Sequence, residues 1–198
     1  LQYIKFRLTG TCPLMVNNPQ TVNPFNVWTK QMKAITDKRK KTDEDNHELM
    51  RLKWMAGLYI DPAIGPFLPS ICVWRALLDA ARISRSGKMI ERGVQCVGDK
   101  LPILYRGPRN PDEMYESGVY VDVRDASPGG KRVTAVRPIF PEWKVEPEMM
   151  FDPNQVSERD IVTFMELAGR VSGVGTYRRI YGRFTSEVIG AEAQKLAA

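Results

Sequence analysis

The run Gly173-Val174-Gly175-Thr176-Tyr177-Arg178-Arg179-Ile180-Tyr181-Gly182-Arg183-Phe184 gathers three glycines, three arginines and three aromatics within twelve residues. Those types suit one kind of chemistry, the binding of a phosphorylated ligand that carries bases. Glycine admits positive φ and lets a backbone come close to a ligand. Arginine grips phosphate through a planar fork, and an aromatic ring offers a base a face on which to stack. The dinucleotide fingerprint does not fit. It runs strand, loop, helix, and its third glycine comes three residues after the second. Here the third glycine follows the second by seven residues, and the run leads from a predicted helix into a predicted strand, 183–189. No Gly-Lys-Ser/Thr follows, so a phosphate loop of the nucleotide-hydrolysing kind is excluded as well. A tight turn with solvated arginines has the same composition, so the rest of the chain has to weigh between the two.

Charge favours a polyanionic partner. The formal net charge is +6 and the pI about 9.3, and its distribution says more than its size. Lys38-Arg39-Lys40-Lys41 is one basic block. Arg75, Arg82, Arg85, Lys88 and Arg92 form a second, spread over a helix and its exit. Arg178, Arg179 and Arg183 form the third. The candidate nucleic-acid-binding residues are therefore Arg75, Arg82, Arg85, Lys88 and Arg92 together with Gly173, Gly175, Tyr177, Arg178, Arg179, Tyr181, Gly182 and Arg183. Acidic residues cluster apart, as in Asp43-Glu44-Asp45.

Catalytic and metal chemistry find little support. Cys12, Cys72 and Cys96 are odd in number and far apart, which suits neither a disulfide framework nor a zinc site. The single histidine, His47, excludes a multi-histidine centre and sits among acidic residues that would repel a nucleic-acid backbone. Asp122 and Asp125, and Asp43 and Asp45, have tempting metal spacing, yet turns and solvated faces account for them. The expectation is a non-enzymatic protein without catalytic residue, metal or cofactor. No run approaches the roughly 18 apolar residues of a membrane span, and the opening residues lack the basic-then-apolar pattern of a signal segment. A cytoplasmic setting is expected, as is a short missing N-terminal piece, since the chain starts at Leu1.

The elements that must position these residues follow from periodicity. Ile4, Phe6 and Leu8 alternate with Lys5 and Arg7, the mark of a half-buried strand. Residues 26–41 carry Trp28, Met32 and Ile35 at helical spacing. Asp43-Glu44-Asp45 opens a second helix that runs to Gly57. Ser70 is the expected N-cap of a helix whose buried face is Trp74, Leu77, Leu78 and Ala81. Val119, Val121 and Val123 alternate with polar residues, Ser127-Pro128-Gly129-Gly130 is a turn, and 133–140 and 143–149 are further strands, with Pro138 and Pro141 expected to force a break or a bulge. Ser157 caps a helix with Ile161, Phe164, Met165, Leu167 and Ala168 inward. Phe184 is expected in the core, and residues 192–198 as a frayed tail. The reading is an α+β, ferredoxin-like (RRM-like) βαββαβ core in one domain, 1–198, with a helical insertion at about 19–65 after the first strand.

Three segments carry a family likeness: Leu8-Thr9-Gly10-Thr11-Cys12-Pro13-Leu14-Met15, Phe67-Leu68-Pro69-Ser70-Ile71-Cys72-Val73-Trp74-Arg75-Ala76-Leu77, and the loop 173–184. Together they resemble the RAMP superfamily, the RRM-like proteins of CRISPR RNA-binding complexes, and within it the backbone subunits that polymerise along a guide RNA. The chain also looks like small bacteriophage proteins, which makes a viral or mobile-element relative an equal reading. The resemblance covers about a third of the chain. It implies a groove that grips sugar-phosphate by shape and charge, with Arg75, Arg82 and Arg85 on the helix side and Tyr177, Arg178, Arg179 and Tyr181 on the loop side. The implied partners are single-stranded RNA or DNA, further copies of the chain in a head-to-tail filament, and other subunits of a ribonucleoprotein or recombination complex. The alternatives are an RNA-processing endoribonuclease of the same superfamily using His47, and a phage structural module binding protein through Trp28, Trp54 and Tyr59.

Overall fold

β1 (Gln2–Gly10) holds the centre of the main sheet because one of its faces is wholly apolar: Ile4, Phe6 and Leu8 are fully buried. The computed structural model describes residues 1–126, 133–178 and 180–193. After β1 come β2 (Leu14–Met15), a 3-10 turn at Pro19–Val22, α1 (Val27–Thr36), α2 (Asp43–Gly57), β3 (Ile60–Asp61) and β4 (Gly65–Pro69). Then follow α3 (Ser70–Ile83), α4 (Gly87–Gly93), β5 (Val94–Cys96), β6 (Lys100–Pro102), α5 (Pro111–Glu116) and β7 (Val121–Ala126). The chain continues with β8 (Val133–Phe140), β9 (Lys144–Val145), β10 (Glu148–Phe151), α6 (Glu158–Val171) and β11 (Phe184–Ala193).

The main sheet has the order β11-β1-β10-β5, with every neighbour antiparallel and β9 extending the pairing along β1. In chain order these are the fourth, first, third and second core strands. α3 links the first to the second, and α6 links the third to the fourth, so the protein is α+β with its core elements in βαββαβ order. The two helices pack on each other and share one apolar core with β1. Val73, Ala76, Leu77, Ala80 and Ala81 come from α3, and Ile161, Phe164, Met165 and Ala168 from α6.

The second core strand is not the one the valine alternation suggested. It is the three-residue β5. The alternating segment forms β7, which pairs with β8 from Val121 opposite Pro138 to Ala126 opposite Val133. β2 completes this separate sheet. The phase is also inverted. Val119 and Val123 are exposed, while Tyr120 is buried at 5%. β8 runs unbroken through Pro138, whose carbonyl accepts the Val16 amide at 3.0 Å, and ends before Pro141. The predicted strand over 143–149 is split by Glu146 and Pro147 into β9 and β10.

Other boundaries moved for local reasons. Ser70 is the first helical residue rather than the cap; Pro69 occupies the cap position, and the Ser70 amide bonds the Asp99 carbonyl at 2.9 Å. α1 stops at Thr36, so Lys38-Arg39-Lys40-Lys41 lies in the link to α2. Thr42 and Asp45 form the reciprocal capping box of α2. β11 extends through Ala193, two residues into the predicted tail; the rest of that tail, 194–198, and the predicted turn at 127–130 lie outside the described residues. α2 packs against β8. Trp54 is fully buried there and donates its indole N–H to the Tyr120 carbonyl at 2.8 Å. Trp28 and Tyr59 are partly buried against the same core. Among the described residues no helix is long and apolar enough to cross a membrane.

Candidate nucleic-acid interface

The glycine loop is laced to the segment that leaves β1. α6 ends where the Ser172 and Gly173 amides both reach the Ala168 carbonyl at 2.9 Å, with Gly173 at φ 67°. That is the left-handed residue which commonly terminates a helix. The Thr176 amide then bonds Met15 O at 2.8 Å, the Gly182 amide bonds Pro13 O at 2.8 Å, and the Thr11 amide bonds Arg183 O at 2.9 Å. Cys12 fastens the same crossing: its Sγ accepts the Arg183 amide at 3.3 Å and donates to Ile180 O at 3.4 Å. Gly175 and Gly182 have φ of 81° and 70°. A Cβ on Gly175 would lie 2.3 Å from Met15 O, and one on Gly182 would lie 1.9 Å from Val174 O. These glycines serve the approach of the chain to itself, which fixes the loop before any ligand arrives.

The loop's side chains reach two other elements. Towards α3, Arg178 Nη1 donates to Asp79 Oδ2 at 3.1 Å, and Asp79 also holds Arg82 at 3.2 Å. Cys72 on α3 lies partly buried beneath. Burial pushes its thiol up, while the charges of Arg75 and Arg178 and a bond from the Gly175 amide act in the opposite direction. Arg75 is exposed beside them. An open depression of about 560 Å³, lined by Asp79, Val171, Ser172, Tyr177, Arg178 and Ile180, lies over this contact.

The structure thus brings Arg75, Arg82, Arg178, Tyr177 and Tyr181 together. Arg85 takes φ 61° just past the end of α3, and Lys88 and Arg92 stand exposed on α4; no described contact joins these three to the loop. Arg183 turns aside and donates its guanidinium to the Arg170 carbonyl. Arg179 lies outside the described residues. Phe184 is in the core, 2% exposed.

Sequence reasoning missed the second contact, made by the β7–β8 hairpin. Arg124 holds Asp122 with a two-point fork, Nε to Oδ2 and Nη2 to Oδ1, each at 2.5 Å. Its Nη2 also donates to Tyr181 Oη at 2.8 Å, and its guanidinium lies 5.1 Å from the Tyr181 ring centre and 5.5 Å from that of Tyr177. Those bonds raise the pKa of an already permanent cation. Arg137 lies 4.4 Å over the Tyr177 ring, within cation–π range. Residues two apart on a strand share a face, as do residues directly opposite across a ladder. Asp122, Arg124 and, across the ladder, Arg137 therefore face the loop together. The signal available in the sequence was the Asp122-x-Arg124 alternation, which the valines between them masked. The tyrosines that were expected to stack bases hold guanidiniums.

The exposed side of β1 is different. Lys5 and Arg7 meet Glu146 at 3.6 and 2.9 Å, and Arg7 reaches Glu187 at 4.0 Å. Acids pair with the cations of that face. His47 is exposed, the fifth residue of α2. Among the described residues no three His, Cys, Asp or Glu side chains are grouped to hold a metal ion.

No protein-family model matches the chain, and no curated protein matches it. Among solved structures it is similar to a chain of the cryo-EM structure of the Type III-B Cmr-beta bound to cognate target RNA. The TM-score is 0.51 at 12% identity, over 96% of this chain. This chain spans 60% of that longer one. At that identity the likeness is one of fold.

Proposed function

We propose that this chain is a non-catalytic protein that grips the sugar-phosphate backbone of single-stranded RNA or DNA and assembles in several copies along the strand. The carrying observation is the meeting of arginines from α3, the glycine loop and the β7–β8 hairpin on one face, with the aromatic rings of Tyr177 and Tyr181 between them. A rigid, cationic, aromatic-lined surface tracks a phosphate backbone without reading sequence. The similar fold belongs to an RNA-bound complex, which supports RNA as the first ligand to test. On this reading the chain works as a CRISPR-type backbone subunit or as the corresponding strand-binding protein of a phage, in the cytoplasm of a bacterial cell.

A fluorescence-anisotropy titration with labelled single-stranded oligonucleotides is the test. Binding that weakens steeply with salt is expected. Failure to bind RNA and DNA at micromolar protein overturns the reading. Incubation with RNA, with and without Mg²⁺, should leave it intact; cleavage lost in His47→Ala would make the chain a processing enzyme instead.

Assembly is assigned to the insertion. Lys38 already pairs with Asp45 inside the α1–α2 hairpin, but Arg39, Lys40, Lys41, Asp43 and Glu44 remain exposed to meet opposite charges on the next copy. A contact of that kind is head-to-tail and builds an open filament when the rotation does not close. Electron microscopy on a long strand should show a row of copies. One protein per long strand at saturation would refute the filament.

A further inference from the structure

We infer that Arg137, with the free edge of the Arg124 guanidinium, forms the seat for one internucleotide phosphate, and that Tyr177 is the platform for this seat rather than a base-stacking ring. This inference rests on the strand-binding reading above and names the group which that face receives.

The donor count leads there. A guanidinium has five N–H donors. Arg124 spends Nε and one Nη2 hydrogen on Asp122 and the other Nη2 hydrogen on Tyr181. Among the described residues the two hydrogens of Nη1 have no partner. Asp122 stands directly opposite Arg137 in the ladder, but among the described residues its ion pair is with Arg124. Among the described residues Arg137 pairs with no carboxylate. Its guanidinium is half-buried and stacked 4.4 Å over Tyr177.

Two guanidiniums that share one carboxylate, one of them with unspent donors, are what a singly charged oxyanion completes. Two adjoining features select the strand over other anions. Arg178, paired with Asp79, and the exposed Arg75 lie on the α3 side of the same loop, where further phosphates of a strand would pass. Tyr177 has φ 51°, a left-handed conformation costly for a ring-bearing residue. That conformation places its ring against both arginines.

The test uses the full chain and three labelled strands: a normal oligonucleotide, an abasic one with an intact sugar-phosphate backbone, and one with uncharged methylphosphonate linkages. Wild type should bind the first two and not the third. Arg137→Ala should weaken the first two equally, by about tenfold, and lower the slope of log K against log salt by about one. Arg137→Lys should restore the slope but only part of the affinity, because the point charge lacks the fork. Arg137→Gln, which keeps a planar polar end, serves if the alanine variant does not fold. If wild type binds while Arg137→Ala and Arg137→Gln fold and bind equally well, the seat is refuted and the strand-binding reading stands. A loss seen only on the base-bearing strand shows that Arg137 touches a base and overturns the phosphate assignment. A nucleoside monophosphate that displaces the strand at equal phosphate concentration makes the seat a mononucleotide site and refutes the strand as its occupant. A wild type that binds no strand removes the reading itself.

Discussion

Asp79 accepts a hydrogen bond from Arg178 at 3.1 Å across 99 residues of chain, and the same carboxylate holds Arg82 at 3.2 Å. One acid therefore moors the glycine loop to α3, between Arg178 and Arg82. It fixes where Arg178 stands and also subtracts a charge from the surface that a polyanion would meet.

Asp79→Asn separates these two effects. Both ion pairs are more than a third exposed, so the folding free energy should change by no more than about 0.5 kcal/mol. Strand affinity at low salt should rise, on the order of threefold, because a repulsive charge has gone. Urea unfolding and anisotropy measure the two quantities. A weaker complex would mean that mooring of the loop outweighs the charge.

Alanine at the glycines of the loop should be far more damaging than alanine at an open turn. Gly175→Ala and Gly182→Ala add a Cβ within 2.3 Å of a carbonyl oxygen, at φ of 81° and 70°, and should each cost about 2–4 kcal/mol. Gly98 has φ 72° with open space around it. Gly98→Ala should cost only about 1–2 kcal/mol, the left-handed penalty alone. Equal losses at the three sites in urea unfolding would show that the loop does not dock on residues 13–15.

Arg85 occupies the left-handed position that usually falls to glycine after a helix. Arg85→Gly should raise stability by about 0.5–1 kcal/mol. If Arg85 belongs to the strand path, the same change should also weaken binding and flatten the salt slope. A stabilised variant with unchanged affinity would take Arg85 out of the interface.

Stability should fall in alkali. Burial pushes the Cys96 thiol up to about 11 and the Tyr105 phenol up to about 12. Their unfolded counterparts lose the proton at about 9 and 10. The folded chain therefore holds more protons than the unfolded one from about pH 9 upward, and the unfolding free energy declines through that window. Thermal melts from pH 7 to 11 check this. Cys96→Ala should remove the earliest part of the decline; a melting point that rises with pH above 9 would contradict the assignment.

The sequence made β1, α3 and α6 legible because each buries one face, and one-sided burial writes its period into the residues. Ile4, Phe6 and Leu8 mark a strand, and the Trp74-Leu77-Leu78-Ala81 stripe marks a helix. β5 was illegible because three residues are too few to show a period. β7 was visible as a strand but read in the wrong phase. Its valines look like core residues, whereas Asp122 and Arg124 hide by satisfying each other under the loop. The chemistry of the loop could be seen in its composition. Its arginine partners could not, since Arg124 lies 57 residues from Tyr181 and nothing local connects them.

The place of β1 in the sheet has a consequence for how the chain is made. Both of its flanking strands, β10 and β11, and the short β9 come from beyond residue 143. At a synthesis rate of roughly 5–20 residues per second, Ile4, Phe6 and Leu8 wait on the order of ten seconds for their first pairing partner. The loop that closes on Thr11, Pro13 and Met15 emerges later still. Completion of the main sheet thus depends on contacts of high sequence separation, between residues 2–10 and 144–193, which slows folding by topology. Until those partners arrive, the apolar face of Ile4, Phe6 and Leu8 is without its sheet neighbours, the kind of transiently exposed strand that aggregates.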